Sequence, residues 1–317
     1  MLSFFRKYSR PLSAAGFFLI LMIIFLALNP QVFLNPLVYA AVFQSLPVTI
    51  FLVVPLVFVI AAGEIDLSFP SVVGLGAWAF ALAIHSGWSY FLAFATGVGV
   101  GSIAGLLNGL LVTRVGLSSL VSTLGMNFFF RGFILLETQG NHFSINKVEG
   151  SVLHRLLNGD LGGFPVQMIW ALAFAVVGWF LFARHKFGSQ ICCVGDNQDS
   201  AREMGIRVNR VKVLAYVYMG ISAGIAGIFS CLLNFTFWPS TGDGYMLSTL
   251  AAVFIGGTPV WGGVGTVIGG VIGAFTVNFI ATGIVAAGMT GFFTQFFYGL
   301  IIILAIVGHR FNQKRYQ

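Results

Sequence analysis

Charged side chains are scarce in this chain, and three of them stand inside or directly beside apolar segments. Glu64 and Asp66 lie in GEIDLS (63–68), which follows a long apolar stretch, and Arg131 lies within another, in NFFFRG (127–132). Carboxylates and a guanidinium in such surroundings can pair with each other, contact a polar solute or couple to an ion. A charge inside a bilayer costs roughly 2.5 kcal/mol or more, so each group should have a partner or face water.

The sequence contains no recognisable set of residues for covalent chemistry. It has no G-x-x-x-x-G-K-[ST] phosphate-binding loop, and none of its five histidines pairs with another at metal-ligand spacing. Cys192 and Cys193 are adjacent and Cys231 lies in an apolar segment, which indicates neither a disulfide framework nor a metal motif. We therefore expect no catalytic residue, no metal and no cofactor on this chain.

The composition places the chain in a lipid bilayer. Of its 317 residues 58% are hydrophobic and only 8% are charged, too few to cover a water-soluble fold. The sequence predicts an all-α, polytopic membrane protein of about ten transmembrane helices, in a single domain over residues 1–317. The apolar segments are 12–29, 38–62, 69–86, 89–113, 116–137, 164–183, 213–233, 246–261, 263–284 and 292–308.

Some of these segments should be kinked or broken. Pro47 and Pro55 should kink or interrupt the second segment, because proline cannot donate the backbone hydrogen bond of a helix. The eighth segment, 246–261, is too short to cross a bilayer alone, which favours half of a broken or re-entrant helix. The first segment resembles a signal peptide, but an uncleaved first span is the preferred interpretation.

Basic residues indicate the face of the membrane that each loop occupies, because Lys and Arg concentrate in cytoplasmic loops. With ten spans and an internal N-terminus, the outer loop between the fifth and sixth segments carries only Lys147 and Arg155. We therefore expect both termini in the cytoplasm, and lipid rather than nucleic acid as the reason for the net charge of +7. The basic residues placed inside are Arg6, Lys7, Arg10, Arg114, Arg184, Lys186, Arg202, Arg207, Arg210, Lys212, Arg310, Lys314 and Arg315.

Polar residues within the apolar segments have two interpretations. They line a translocation path or a gate, or they form ion pairs and caps that hold a broken helix together. Amides have the same two uses, because they hydrogen-bond between membrane helices as readily as they contact a polar solute. The candidate path residues are Glu64, Asp66, Ser68, Asn127, Arg131 and Asn278.

Glycine recurs at every fourth position in three segments, which gives each helix one smooth stripe. Small residues at this spacing let membrane helices approach closely and gain dispersion contacts that bulky side chains would block. We therefore expect these stripes to be helix-packing surfaces. They comprise Gly97, Gly101, Gly105 and Gly109; Gly220 and Gly224; and Gly265, Gly269 and Gly273.

The connection between the sixth and seventh segments, approximately residues 184–212, is the longest charged stretch. Residues 196–200 favour a helix N-cap, 201–204 are good helix formers, and Gly205 suits a C-cap. The pattern predicts a short amphipathic helix of about one to two turns. Such a helix suits docking into a groove of another protein, and an ordinary solvated loop is the alternative.

Several motifs in order resemble permease subunits of bacterial ATP-binding-cassette (ABC) importers for simple sugars, the group that contains ribose and xylose permeases. Residues 63–68 with Ser71 match the family signature G-G-I-D-L-S-x-x-S, except that Glu64 replaces its second glycine. TLG (123–125) with RG (131–132) resembles a second family segment. The similarity covers nearly the whole chain.

The later motifs are the more specific part of the resemblance. The family's coupling motif G-x-N-x-x-A-x-x-x-G-I is matched within 195–206, and its glycine-rich block is matched within 242–274. Branched-chain amino-acid permeases share the late glycine block, whereas the I-D-L-S segment favours sugars. The residues implied in coupling are Gly195, Asp196, Asn197, Ala201, Arg202, Glu203, Gly205 and Ile206.

The resemblance implies an importer of several subunits in the bacterial inner membrane. Two permease subunits, as a homodimer or with a paralogue, would form the path for a monosaccharide or related small polar solute. A periplasmic sugar-binding protein would deliver the solute to the outer face. A separate cytoplasmic ATPase would hold ATP and Mg and dock on the 184–212 connection, so that this chain needs no ATPase site of its own.

Other classes of protein stay open at this stage. An ion-coupled secondary transporter can use Glu64, Asp66 and Arg131 in a broken-helix site, although the coupling motif argues against it. Permeases for nucleosides, polyols or branched-chain amino acids share the importer architecture. A membrane enzyme or scaffold is disfavoured, because no catalytic constellation exists in the sequence.

Overall fold

The computed structural model describes residues 9–313, and most of them are helical. Arg6, Lys7, Lys314 and Arg315, which support the predicted location of the termini, lie outside the described residues. The helices are, in chain order, α1 (Ser9–Leu28), α2 (Pro30–Phe33), α3 (Pro36–Ala61), α4 (Phe69–His85), α5 (Tyr90–Leu110, continued by a π-helical turn over Leu111–Val115), α6 (Ser119–Thr138), α7 (Val152–Asn158), α8 (Val166–Ala183), α9 (Lys186–Asp196), α10 (Gln198–Glu203), α11 (Val208–Asn234), α12 (Tyr245–Ile255), α13 (Val267–Ala286) and α14 (Phe292–Gln313).

Each predicted apolar segment corresponds to one of these helices, which confirms the mainly helical fold. Among residues 9–313, seven helices are long and apolar enough to cross a membrane: α1, α3, α5 with its π-helical turn, α6, α8, α11 and α13. The apolar parts of α4, α12 and α14 are shorter. The eleven residues of α12 fit the prediction that the eighth segment cannot span alone.

The second segment, α3, is the central helix, and every residue from Leu46 to Ala61 is buried. A helix that is apolar on all sides is stable only where neighbours surround it. Of the two predicted effects of Pro47 and Pro55, a kink or an interruption, the interruption does not occur, because one helix runs from Pro36 to Ala61. Proline at 55 leaves the carbonyl of Phe51 without its helical donor, and the hydroxyl of Ser222 on α11 donates to that carbonyl instead.

Glycine stripes bring α5 and α11 into direct backbone contact. A β-carbon at Gly101 would overlap the carbonyl oxygen of Gly220, and one at Gly105 would overlap that of Tyr216. A β-carbon at Gly109 would lie 3.0 Å from the Cα of Val213, and one at Gly97 would lie 2.9 Å from the Ile228 side chain. This close approach holds the antiparallel pair α5 and α11 together.

The late stripe is shorter than predicted. Gly269 and Gly273 lie on α13 and face the carbonyls of Gly256 and Ala252 at the end of α12. Gly265 precedes α13, because Thr266 is the N-cap and its hydroxyl accepts from the Gly269 amide. The β-carbon position of Gly265 instead faces the Phe182 ring and the side chains of α3.

Loops gather at the two opposite ends of α11. The two-residue strands are β1 (Phe143–Ser144), β2 (Asp160–Leu161), β3 (Phe164–Pro165) and β4 (Thr236–Phe237), paired β1 with β4 and β2 with β3, both antiparallel. The β1–β4 pair joins the α6–α8 connection to the chain just after α11. At the opposite end, the α3–α4, α8–α11 and α12–α13 connections meet around Gly63, Gly195 and Gly263.

Candidate functional site

Between α3 and α4 the chain leaves the helical conformation over residues 62–68, inside the helix bundle. The backbone groups that are enclosed there need hydrogen-bond partners within the protein. The amide of Ile65 donates to Ser119 Oγ (3.2 Å), and that of Leu67 donates to Thr123 Oγ1 (2.9 Å). Hydroxyl groups of α6 therefore hold this break in place.

Asp66 is hydrogen-bonded within the break. Its Oδ1 accepts from the amide and from the hydroxyl of Ser68, both at 2.7 Å. The Ser68 hydroxyl in turn accepts from Asn108 Nδ2 on α5 at 2.6 Å. All three side chains are buried, so this network belongs to the structural interpretation of the break.

Glu64 pairs with Lys212 in the first turns of α11. The side chains are 11% and 8% exposed, so the ion pair is almost entirely enclosed. Tyr216, one turn further along α11, donates its hydroxyl to the carbonyl of Ile65 at 3.3 Å. The break is thus joined to the helix that directly follows the 184–212 connection.

Arg131 lies on α6 and holds the loop between β4 and α12. Its guanidinium donates to the carbonyls of Pro239 and Thr241, the latter at 3.1 Å. It also forms an ion pair with Asp243 at 2.6 Å. This second polar position is separate from the break that carries Glu64 and Asp66.

The two amides among the candidate path residues lie in different places. Asn127 is one turn before Arg131 on α6, and its Oδ1 accepts from the Ser71 hydroxyl at 2.7 Å. Asn278 lies on α13, donates to the carbonyl of Ala274 in its own helix, and is 3.5 Å from the Thr49 hydroxyl of α3. The six candidates therefore form three groups rather than one cluster.

The 184–212 connection contains two helices where one was predicted. α9 was missed, although its apolar residues Phe187, Ile191 and Val194 follow helical spacing and two of them are buried. α10 occupies the predicted position. Asn197 is its N-cap, with Oδ1 accepting from the amides of Asp199 (3.0 Å) and Ser200 (2.9 Å).

The residues of α10 divide into an anchored side and an exposed side. Ala201 is buried, its carbonyl accepts from the Ile206 amide at 3.0 Å, and Gly205 has a φ of +78° that ends the helix. Arg202 and Glu203 are exposed, and Met204 is 63% exposed at the end of the helix. Arg202, Glu203 and Met204 are therefore the part of this helix and its end that is open to solvent.

Glycines connect the end of α9 directly to the break. A β-carbon at Gly195 would overlap the carbonyl oxygen of Ala61 and lie 2.6 Å from the Gly263 amide nitrogen. The Gly263 amide donates to the Ala61 carbonyl at 3.0 Å, and a β-carbon at Gly262 would lie 2.8 Å from the Cα of Gly63. We call Gly63, Gly195, Gly262 and Gly263 the glycine junction.

Long apolar helices around a broken, ion-paired segment, with two polar helices packed on that break, are typical of a multi-pass membrane protein. A family model described as the permease component of the branched-chain amino acid transport system matches residues 38–306. The chain belongs to this family of permease components, and as such it is a multi-pass protein of the bacterial inner membrane. Members of this family are transport subunits. The predicted resemblance to permease subunits of ABC importers is therefore confirmed.

Two kinds of curated relatives cover nearly the whole chain. The LsrC autoinducer 2 import system permease protein of Enterobacter sp. (strain 638) is 33% identical over 301 residues, 94% of this chain and 86% of that protein. The RbsC ribose import permease protein of Bacillus subtilis (strain 168) is 30% identical over 289 residues, 91% of this chain and 89% of that protein. No solved structure matches the chain at a significant level.

Proposed function

We propose that this chain is the membrane-spanning permease subunit of an ABC importer that carries a monosaccharide or a related small polar solute into the cell. The relatives named above are import permeases for ribose and for autoinducer 2, and their similarity extends over most of both chains. The I-D-L-S motif (65–68), which favours sugars, forms the capped break itself. The chain supplies the path and no catalytic residue.

The proposed topology has ten spans with both termini in the cytoplasm. The glycine junction and the charged 184–212 connection then lie at the cytoplasmic end, and the β1–β4 pair lies at the periplasmic end. Connections predicted on one face do meet at one end of α11, which supports the assignment. The ten spans form a single transmembrane domain over residues 1–317.

The close backbone packing of the glycine junction is the observation that carries the proposed mechanism. A cytoplasmic ATPase, which holds ATP and Mg, docks on α10 and its flanks (Gly195, Asp196, Asn197, Ala201, Arg202, Glu203, Gly205 and Ile206). Any displacement of α9 and α10 moves Gly195, whose backbone lies against Ala61 and Gly263. Rigid close packing transmits such displacements, so the break at 62–68 shifts between two arrangements.

Further partners complete the importer. A second permease subunit, identical or paralogous, completes the path, and a periplasmic sugar-binding protein delivers the solute to the end marked by the β1–β4 pair. Glu64, Asp66 and Ser68 act at the moving break, whereas Asn127, Arg131 and Asn278 are proposed path or gate positions.

A non-sugar solute is the second candidate, since the matching family model is described by branched-chain amino acid transport. The ion-coupled transporter is less well supported, because Glu64 is engaged by Lys212 and Arg131 by Asp243. Uptake by membrane vesicles separates these possibilities. We expect sugar uptake that requires ATP, survives collapse of the proton gradient and is not competed by leucine; uptake that follows the ion gradient contradicts the proposal.

Gly195→Ala tests the mechanism in the same assay. The added β-carbon meets the carbonyl of Ala61, so ATPase binding should persist while uptake falls strongly. Gly99→Ala is the matched control, because a β-carbon at Gly99 has nothing within 4 Å. Normal uptake by Gly195→Ala contradicts transmission through the glycine junction.

A further inference from the structure

After β4 the chain turns back into the helix bundle as a loop over residues 238–244, which we call the Asp243 loop. A β-carbon at Gly242, where φ is +99°, would overlap the carbonyl oxygen of Pro70, and one at Gly74 would lie 2.8 Å from that of Thr241. The loop therefore packs on the first turns of α4. Two successive turns shape it. The backbone amide of Thr241 donates to the Trp238 carbonyl (2.8 Å), and the backbone amide of Asp243 donates to the Ser240 carbonyl (2.9 Å).

The depth of this loop follows from Arg131. Arg131 lies twelve residues after the start and seven before the end of α6, a helix apolar enough to cross a membrane. At 1.5 Å per residue it is about 10 Å from the nearer helix end. Asp243, whose carboxylate is 2.6 Å from the Arg131 guanidinium, lies within the reach of one arginine side chain from that depth.

Asp243 is exposed at that depth, whereas Arg131 is not. The Asp243 side chain is 63% exposed and that of Arg131 is 16% exposed. A carboxylate exposed to this extent is costly in hydrocarbon even beside an arginine, which favours water on the face of the protein that presents Asp243. Arg131 already holds the loop through the carbonyls of Pro239 and Thr241, so Asp243 is not needed as its only anchor.

The exposed surface around Asp243 has the chemistry of hydroxyl recognition. A carboxylate only accepts hydrogen bonds, it accepts several at once, and bonds to an ionised acceptor are the strong ones. Ser240 and Trp238 are exposed on the same loop, and the Trp238 ring stacks on His142 at 4.7 Å between centroids. The carboxylate, the serine hydroxyl and the indole ring are groups of the kinds that bind small polar molecules.

We propose that Asp243, positioned by Arg131, is a solute-binding residue whose carboxylate accepts hydrogen bonds from the hydroxyl groups of a polyhydroxylated solute in a water-filled path. The proposal deepens the proposed function and rests on it. It separates Asp243 and Arg131 from Glu64 and Asp66, which are buried and serve the moving break instead.

Cysteine labelling in membranes that contain the complete importer tests this site. A charged, membrane-impermeant thiol reagent is applied from the periplasmic side to Asp243→Cys and, as a second variant that leaves the Arg131 ion pair intact, to Ser240→Cys. Asp160→Cys, exposed in the outer β2–β3 hairpin, is the accessible control, and Val176→Cys, 63% exposed on the apolar face of α8, is the lipid-facing control. The unsubstituted chain is the blank.

We expect both loop variants to be labelled. Labelling of Ser240→Cys should slow severalfold with at least one of D-ribose, D-xylose and myo-inositol, but not with leucine, whereas Asp243→Cys, which lacks the proposed binding carboxylate, should be labelled with little or no protection. Asp160→Cys should be labelled without protection, and Val176→Cys should not be labelled. Labelling of the loop variants no faster than that of Val176→Cys overturns the water-filled path. Labelling of Ser240→Cys without protection by any hydroxylated probe, its protection by leucine alone, or full protection of Asp243→Cys overturns the ligand assignment. Failure of the proposed function is registered separately, as absence of an ATPase from the purified unsubstituted complex.

Discussion

At the scale of single residues, the enclosed pair of Glu64 and Lys212 is the least expected interaction. Its partners are 148 residues apart in sequence, so neither the sequence motif around Glu64 nor the charge count around Lys212 pointed to the other. The family signature has glycine where this chain has glutamate, and the added carboxylate is neutralised by a lysine of the adjacent helix. The ion pair links the break to α11, and its two opposite charges cancel.

Removal of one partner of this pair should destabilise the protein. Lys212→Met leaves Glu64 enclosed without a counter-charge, and breaking a buried pair in this way costs about 3–5 kcal/mol. The thermal unfolding temperature in detergent should fall markedly. The double variant Glu64→Gly/Lys212→Met, which restores the family's glycine, should recover most of the loss.

Lys147→Met, at an exposed position of the outer loop, is the matched control and should leave the unfolding temperature unchanged. Equal unfolding temperatures for Lys212→Met and the unsubstituted protein would show that the pair contributes nothing.

A second prediction at this scale concerns the proline of α3. Ser222→Ala removes the donor to the Phe51 carbonyl, which Pro55 leaves without a helical partner. An unsatisfied buried carbonyl costs about 1–3 kcal/mol, so the unfolding temperature should fall. The combination Ser222→Ala/Pro55→Ala should lose less than Ser222→Ala alone, because alanine returns the helical donor. A loss as large in the double variant would argue against this role for Ser222.

At the scale of helices, the glycine stripes explain which helices pair. The stripes of α5 and α11 were recognisable in sequence because their spacing matches the helical repeat, and they do face each other. The mutual position of the glycine junction was not predictable, because its four glycines come from three separate connections. No local sequence pattern marks these glycines as contacts of one another, and only the fold brings them together.

Gly105→Leu should reduce the amount of folded protein. The leucine side chain would enter the backbone of α11 at Tyr216, where even a β-carbon overlaps the carbonyl oxygen. Gly99→Leu lies on the same helix with open space around its β-carbon position, and it should be tolerated. Monodisperse protein recovered by size-exclusion chromatography gives the comparison. Similar yields from both variants would contradict the packing role of the stripe.

The polar helices also show where sequence reasoning succeeded and where it failed. α10 was predicted because Asn197 and Gly205 are strong local signals for the ends of a helix. α9 was missed because its polar composition and its two adjacent cysteines resemble a loop, while its burial depends on contacts with α3, α8 and α11. The ten apolar segments were predictable from hydrophobicity, but the return of the Asp243 loop into the bundle was not, since it is short and polar.

At the scale of the whole molecule, the fold separates two ends, which we propose to be a moving end and an end that receives the solute. The glycine junction and the two polar helices lie at one end of α11, and the paired strands lie at the other. The Asp243 loop starts from the receiving end and reaches inward to Arg131. The proposed path therefore runs between a solute-contacting carboxylate and a break that responds to the ATPase.

The proposed orientation predicts opposite accessibility of two exposed positions. Asn197→Cys should react with an impermeant thiol reagent only from the cytoplasmic side, and Asp160→Cys only from the periplasmic side. Inside-out and right-side-out vesicles provide the two measurements. Labelling of Asn197→Cys in right-side-out vesicles would reverse the assigned topology.

The most direct test of the central claim is purification of the tagged chain from native membranes, with identification of the proteins that remain bound. We predict a second permease subunit, an ATPase with a phosphate-binding loop and a periplasmic sugar-binding protein, and we predict that Ala201→Glu, which places a charge in the buried anchor of α10, loses the ATPase alone. A stable complex that contains no ATPase would contradict the account.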